Sequence, residues 1–124
     1  MLEHGELTGA IIGAALTVHR TLGPGFLEVA YENALALELD ARAIAFERQI
    51  AVPVIYRGRE VALHRLDLRV GSLVVELKAI RAIESTHSAI VRSYLRATGS
   101  RHGLILNFGR EELEIRRVMV RVAG

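Results

Sequence analysis

The residues best placed to do chemistry in this 124-residue chain are Asp67, Glu76 and Lys78. Between the two acids lies Gly71-Ser72, a dipeptide that signals a tight two-residue hairpin. With those two as the turn, Val70 faces Leu73, Arg69 faces Val74, Leu68 faces Val75 and Asp67 faces Glu76. Strand side chains alternate between faces. One face is then Leu66, Leu68, Val70, Leu73, Val75 and Leu77, and the other is Arg65, Asp67, Arg69, Val74, Glu76 and Lys78. Two carboxylates opposed in this way have β-carbons roughly 5 Å apart, and like charges so placed repel. A divalent cation relieves that repulsion. Mg2+ is commonly held by one or two carboxylates together with water and phosphate oxygens. Lys78, two residues from Glu76 on the same face, is placed to hold a water or to offset developing charge. These are the parts of metal-assisted phosphodiester hydrolysis.

A structural alternative uses the same residues. An antiparallel hairpin with one wet face alternates apolar and polar side chains without any site. Arg65 and Arg69 flank Asp67 and could neutralise the acids.

The elements that must carry these residues follow from periodicity. Residues 6–21 have Ile11, Ile12, Ala15, Leu16 and His19 near helical spacing, which predicts a helix. Leu22-Gly23-Pro24-Gly25 must end it. A second helix is predicted over 26–44. The period then changes to alternation, with strands predicted over 45–56, 60–70 and 73–78. Residues 85–98 read as a helix with Ser85 or Thr86 as N-cap and Gly99 as terminator. Strands over 103–107 and 113–120 complete the order ααβββαββ, an α/β class with a mixed sheet flanked by helices.

Composition bounds the rest. The length suits a single domain over 1–124. About half the residues are hydrophobic, enough for a true core. There is no cysteine, which removes disulfides, thiolate metal sites and a cysteine nucleophile, and fits a reducing cytoplasm. The apolar stretch from Leu7 to Val18 is shorter than the roughly 20 residues of a membrane span. The opening MLEHGE has two acids and neither Lys nor Arg, which argues against a secretory signal. A net charge of +2 is no nucleic-acid signature by itself. Positive charge is nevertheless concentrated late in the chain, where Arg92 and Arg96 fall on the predicted third helix and Arg116, Arg117 and Arg121 on or beside the last strand. No phosphate-cradling loop, zinc-ligand spacing or Gly-x-Ser-x-Gly element occurs.

Several segments occur together in a fixed order: GxxExxY from Gly25 through Glu28 to Tyr31, FERQ at 46–49, DLRVGSLVVELKAI at 67–80, YLRATG at 94–99 and GLILNFG at 103–109. In that order they resemble the GxxExxY protein family, placed within the PD-(D/E)XK nucleases. The resemblance spans about residues 6 to 120. It implies a restriction-endonuclease-like core and a Mg2+- or Mn2+-dependent nuclease acting on a DNA or RNA backbone. It matches Asp67 to the hairpin acid, and Glu76-Leu77-Lys78 to the ExK element. It adds Glu28 as a helix-borne acid and the backbone carbonyl of Leu77 as a further metal ligand. Glu28 also has an ordinary role, since an acid in the first turn of a helix suits the helix dipole. Tyr31, one turn later, is a supporting residue or core packing.

One position departs from the pattern. Many relatives resembling this chain carry Gln four residues before the tyrosine of the late helix, whereas here Ile90 precedes Tyr94. His87, one turn before Ile90, either stands in for that amide or belongs to the helix start. Two further readings therefore stay open beside the enzyme: a nuclease-fold binding module without activity, and an oligomer assembled through edge strands or the apolar first helix.

Overall fold

The computed structural model describes residues 4–121. Met1, Leu2 and Glu3, half of the acidic opening, lie outside them. Helix α1 covers His4–Leu22, with Glu6 in its first turn and His19 and Arg20 in its last, the charge order that the helix dipole favours. It ends where Gly23 adopts a left-handed φ of 69° and returns its N–H to the carbonyl of His19 at 2.8 Å. Helix α2 covers Glu28–Ala41. It is shorter than the 26–44 predicted, because Leu27 is extended before it and Ala43 is left-handed after it.

The strands are β1 (Glu47–Tyr56), β2 (Arg59–Val70), β3 (Leu73–Lys78), β4 (His102–Asn107) and β5 (Glu114–Met119), with α3 (Ser85–Thr98) between β3 and β4. They form one sheet in the order β1-β2-β3-β4-β5. All neighbours are antiparallel except β3 and β4, which run parallel and therefore need the α3 crossover. Helix α3 is capped by Glu84, one residue before the predicted caps.

Helices cover both faces. Leu68, Val70, Leu73, Val75 and Leu77 pack with Ile11, Ala15, Tyr31, Leu35 and Leu39 from α1 and α2. On the opposite face Val74 and Ile105 pack with Val91 and Leu95 of α3. The face of β3 that carries Val74 and Glu76 is therefore covered by a helix rather than wet: Val74 is fully buried and Glu76 is 6% exposed.

The hairpin register agrees with the sequence for Leu68–Val75, Arg69–Val74 and Val70–Leu73, and then stops. Asp67 and Glu76 do not continue the backbone ladder. Leu66 also departs from expectation, because it joins the α3-side core while Leu68, two residues on, joins the α1/α2 side. A regularly pleated strand would keep both on one face, so β2 turns over at Asp67.

Candidate metal centre

Where the ladder stops, side chains replace it. The Leu77 N–H donates to Oδ2 of Asp67 at 2.9 Å, and the Asp67 N–H donates to Oε1 of Glu76 at 3.3 Å. Each acid thus holds one oxygen on the backbone of the opposite strand and keeps its second oxygen outside these bonds. Both sit deep. Burial pushes the Glu76 carboxyl up to about 8, and the nearby Asp67 charge adds to the rise. Burial also raises Asp67, partly offset by the Leu77 N–H.

Glu28 stands at the first position of α2, half-buried, close enough to feel both acids. Its carboxyl is raised by burial first and by the Asp67 charge second. Lys78, partly buried at the end of β3, lowers Glu28, Asp67 and Glu76 by its charge. Among the described residues, no arginine or lysine forms an ion pair with Asp67 or Glu76. Arg69 instead pairs with Glu47 at 3.3 Å, and Arg65 reaches the carbonyl of Gln49 at 3.4 Å. The flanking arginines of the structural alternative are engaged elsewhere.

This chemistry fits a hard divalent cation. A buried Glu76 and a partly buried Asp67, with no ion-pair partner among the described residues, are an arrangement that a cation stabilises. Among the described residues, no three His, Asp or Glu side chains converge as a ready-made ligand set. The arrangement fits a pair of carboxylates completed by water, with Glu28 one step further out.

The loop that delivers Glu28 is tied down by Tyr31. Its hydroxyl donates to the Gly23 carbonyl at 2.6 Å and accepts the Phe26 N–H at 3.1 Å. Its ring is fully buried and stacks on Phe108, with centroids 4.7 Å apart. The spacing of GxxExxY therefore has a mechanical basis: the tyrosine one turn after Glu28 anchors the turn before it.

On the α3 side, Tyr94 is near enough to the acids to feel their charge. Burial raises its hydroxyl, and the charges of Glu76 and Asp67 raise it further. Its ring also lies 5.5 Å from that of His64. Ile90, one turn earlier, is 48% exposed. His87 sits at the start of α3, where its Nδ1 accepts the Glu84 N–H at 2.8 Å, so this ring serves the helix cap. Arg92 is partly exposed and Arg96 exposed on the same helix.

Two groups escaped the sequence reading. Glu32, one turn after Glu28, is buried, takes Arg48 at 2.7 Å on Oε2 and Gln49 at 2.8 Å on Oε1. The four-residue spacing from Glu28 was a visible signal, but its partners lie 16 and 17 residues away. Asn107, fully buried beside Lys78 in the β3–β4 register, accepts the Ile80 and Gly109 N–H groups on Oδ1, each at 3.0 Å. Its Nδ2 donates to the Ile80 carbonyl and to Glu114, also at 3.0 Å. The Phe108 N–H closes on the Lys78 carbonyl at 2.8 Å. Asn107 thus extends the strand that carries Lys78 past its end. Gly109 is required there, because a Cβ would meet Ile80 backbone atoms at 2.4 and 2.5 Å.

No curated protein and no solved structure matched the chain. The family model of the PD-(D/E)XK nuclease superfamily does match it, over residues 5–118. That match takes in the whole sheet bar its final residue and every side chain of the acid pair, its lysine and its helix-borne glutamate, and on it the chain belongs to the PD-(D/E)XK nuclease superfamily.

Proposed function

We propose that this protein is a metal-dependent nuclease that hydrolyses phosphodiester bonds of DNA or RNA in one domain. Nucleases of its superfamily generally use divalent metals. The observation that carries the reading is the acid pair itself. Glu76 is buried and Asp67 partly buried; they are hydrogen-bonded to each other's strands and supplied with no ion-pair partner among the described residues. In this reading Asp67 and Glu76 hold Mg2+ or Mn2+, with Glu28 joining through water and the Leu77 carbonyl as a further oxygen. When bound, the ion supplies charge neutralisation at the phosphate and an acidified water.

The chain's own groups do the rest. Lys78 donates a hydrogen bond to the attacking water and offsets negative charge that grows on the phosphoryl oxygens. The backbone bonds on Asp67 and Glu76 fix the direction of their second oxygens, so little reorganisation accompanies reaction. Tyr31 holds the loop that sets Glu28. Arg92 and Arg96 on α3 contact the phosphate backbone, an electrostatic grip that carries no base preference.

The test is cleavage of plasmid DNA, single-stranded DNA and RNA in Mn2+ and Mg2+ by the wild type, Asp67→Asn and Lys78→Met. Cleavage by the wild type that both substitutions abolish supports the reading. The exposed Ile90, an aliphatic group one turn before Tyr94 on α3, favours a second reading as a binding module. Nucleic-acid binding by a folded, Mn2+-loaded protein that cleaves none of the three substrates would establish that alternative.

A further inference from the structure

Asp67 points its carboxylate at β3 from a place where its backbone is paired in register with neither neighbouring strand, its N–H going to the Glu76 side chain instead. On the β3 side the ladder ends at Leu68–Val75. On the β1 side the register runs Glu47–Arg69, Arg48–Leu68, then Ile50–Leu66, and the pair that would join Gln49 to Asp67 is missing. Gln49 has a φ of 50°. Left-handed backbone is uncommon for a residue with a side chain and persists where its surroundings enforce it. Of the three non-glycine residues with positive φ among those described, Ala43 follows a helix and Arg57 lies in the β1–β2 turn; Gln49 alone is inside a strand.

The Gln49 side chain and its neighbours enforce that conformation. Gln49 Nε2 donates to Oε1 of Glu32 at 2.8 Å, and the other oxygen of Glu32 takes Arg48 Nη2 at 2.7 Å and Nε at 3.1 Å. Arg48 also donates to Asn33 on the same helix. The Gln49 carbonyl accepts Arg65. Glu32 is one helical turn from Glu28, so the clamp also ties the helix that carries Glu28 to the strand beside Asp67.

We infer that Gln49 is a positioning residue for Asp67: its left-handed backbone, locked by the Glu32–Arg48 pair, keeps β1 from closing on Asp67 and frees that carboxylate to face Glu76. The inference deepens the metal-site reading and rests on it for its consequence, though not for its geometry. Turnover of β2 at Asp67, with Leu66 and Leu68 in opposite cores, is the packing signature of the same kink.

The test uses the full chain with Gln49→Val and Gln49→Gly. Valine disfavours the left-handed region strongly, whereas glycine adopts it freely but lacks the amide. Mn2+ alone is titrated calorimetrically, with Glu76→Gln as the site control. The expected result is Mn2+ affinity reduced at least tenfold in Gln49→Val and within about threefold of wild type in Gln49→Gly. Unchanged affinity in Gln49→Val, or equal losses in both variants, would overturn the inference. A second measurement needs no metal. Cross-strand backbone nuclear Overhauser contacts between residues 49 and 67 should be absent in wild type and Gln49→Gly and present in Gln49→Val. Their absence in all three would overturn the inference. If the wild type binds no Mn2+ yet these contacts appear in Gln49→Val, the metal-site reading fails while the positioning geometry stands.

Discussion

Glu76→Gln separates a metal ligand from a buried acid with no ligand role most sharply. The substitution is nearly isosteric, and the amide oxygen can still accept the Asp67 N–H that now binds Oε1. What it removes is the charge. The folded metal-free protein binds a proton at Glu76 up to about pH 8, whereas the unfolded chain releases it near 4.5. Because the folded-state value is raised, the stability contributed by the protonated form is fully present below 4.5. It is lost progressively as pH rises toward about 8. Each pH unit in that window costs the folded state about 1.4 kcal/mol, which sets a ceiling of roughly 5 kcal/mol. Relaxation and water entry lower the expected cost to about 2–3 kcal/mol.

Urea unfolding in chelator at pH 4.5 and pH 8.5 reads this directly. Glu76→Gln should match the wild type at the lower pH and exceed it by about 2–3 kcal/mol at the higher. Mn2+ at a hundred times its dissociation constant should then restore about 2.7 kcal/mol to the wild type and nothing to the variant. A variant within about 0.5 kcal/mol of wild type at both pH values, with an unchanged Mn2+ response, would refute the reasoning. Glu76 would then be a tolerated acid rather than a ligand.

Other positions give independent checks. Tyr31→Phe keeps the ring stacked on Phe108 but leaves the Gly23 carbonyl and the Phe26 N–H without their partner. It should cost about 1–3 kcal/mol in chemical denaturation and weaken Mn2+ binding several-fold through Glu28. Two glycine-to-alanine changes should have opposite signs. Gly109→Ala drives a methyl into the Ile80 backbone and should destabilise by about 3 kcal/mol or more, whereas Gly9→Ala, in open space within α1, should stabilise by about 0.5–1 kcal/mol. Thermal melts of the pair suffice.

The order of elements was legible in the sequence because each has a strong local signal. Period 3.6 marks residues 6–21, alternation marks 60–78, and Gly71-Ser72 leaves little freedom in the hairpin register. That register alone brought Asp67, Glu76 and Lys78 to one region. Glu28 was reached through resemblance, since nothing local ties a helix start to a hairpin forty residues away. Only the tertiary structure decided what these residues do to one another. It showed that the ladder stops at Leu68, that the acids bond across the gap, and that Arg65 and Arg69 serve Gln49 and Glu47 instead. The left-handed backbone of Gln49 and the clamp on Glu32 were invisible to a reading that assumes regular pleating. Strand alternation is a local rule and predicts well wherever the strand is regular. A charge's burial and its partners depend on chain segments far apart in sequence, and α3 folding over Glu76 turns an apparently wet face into a desolvated one.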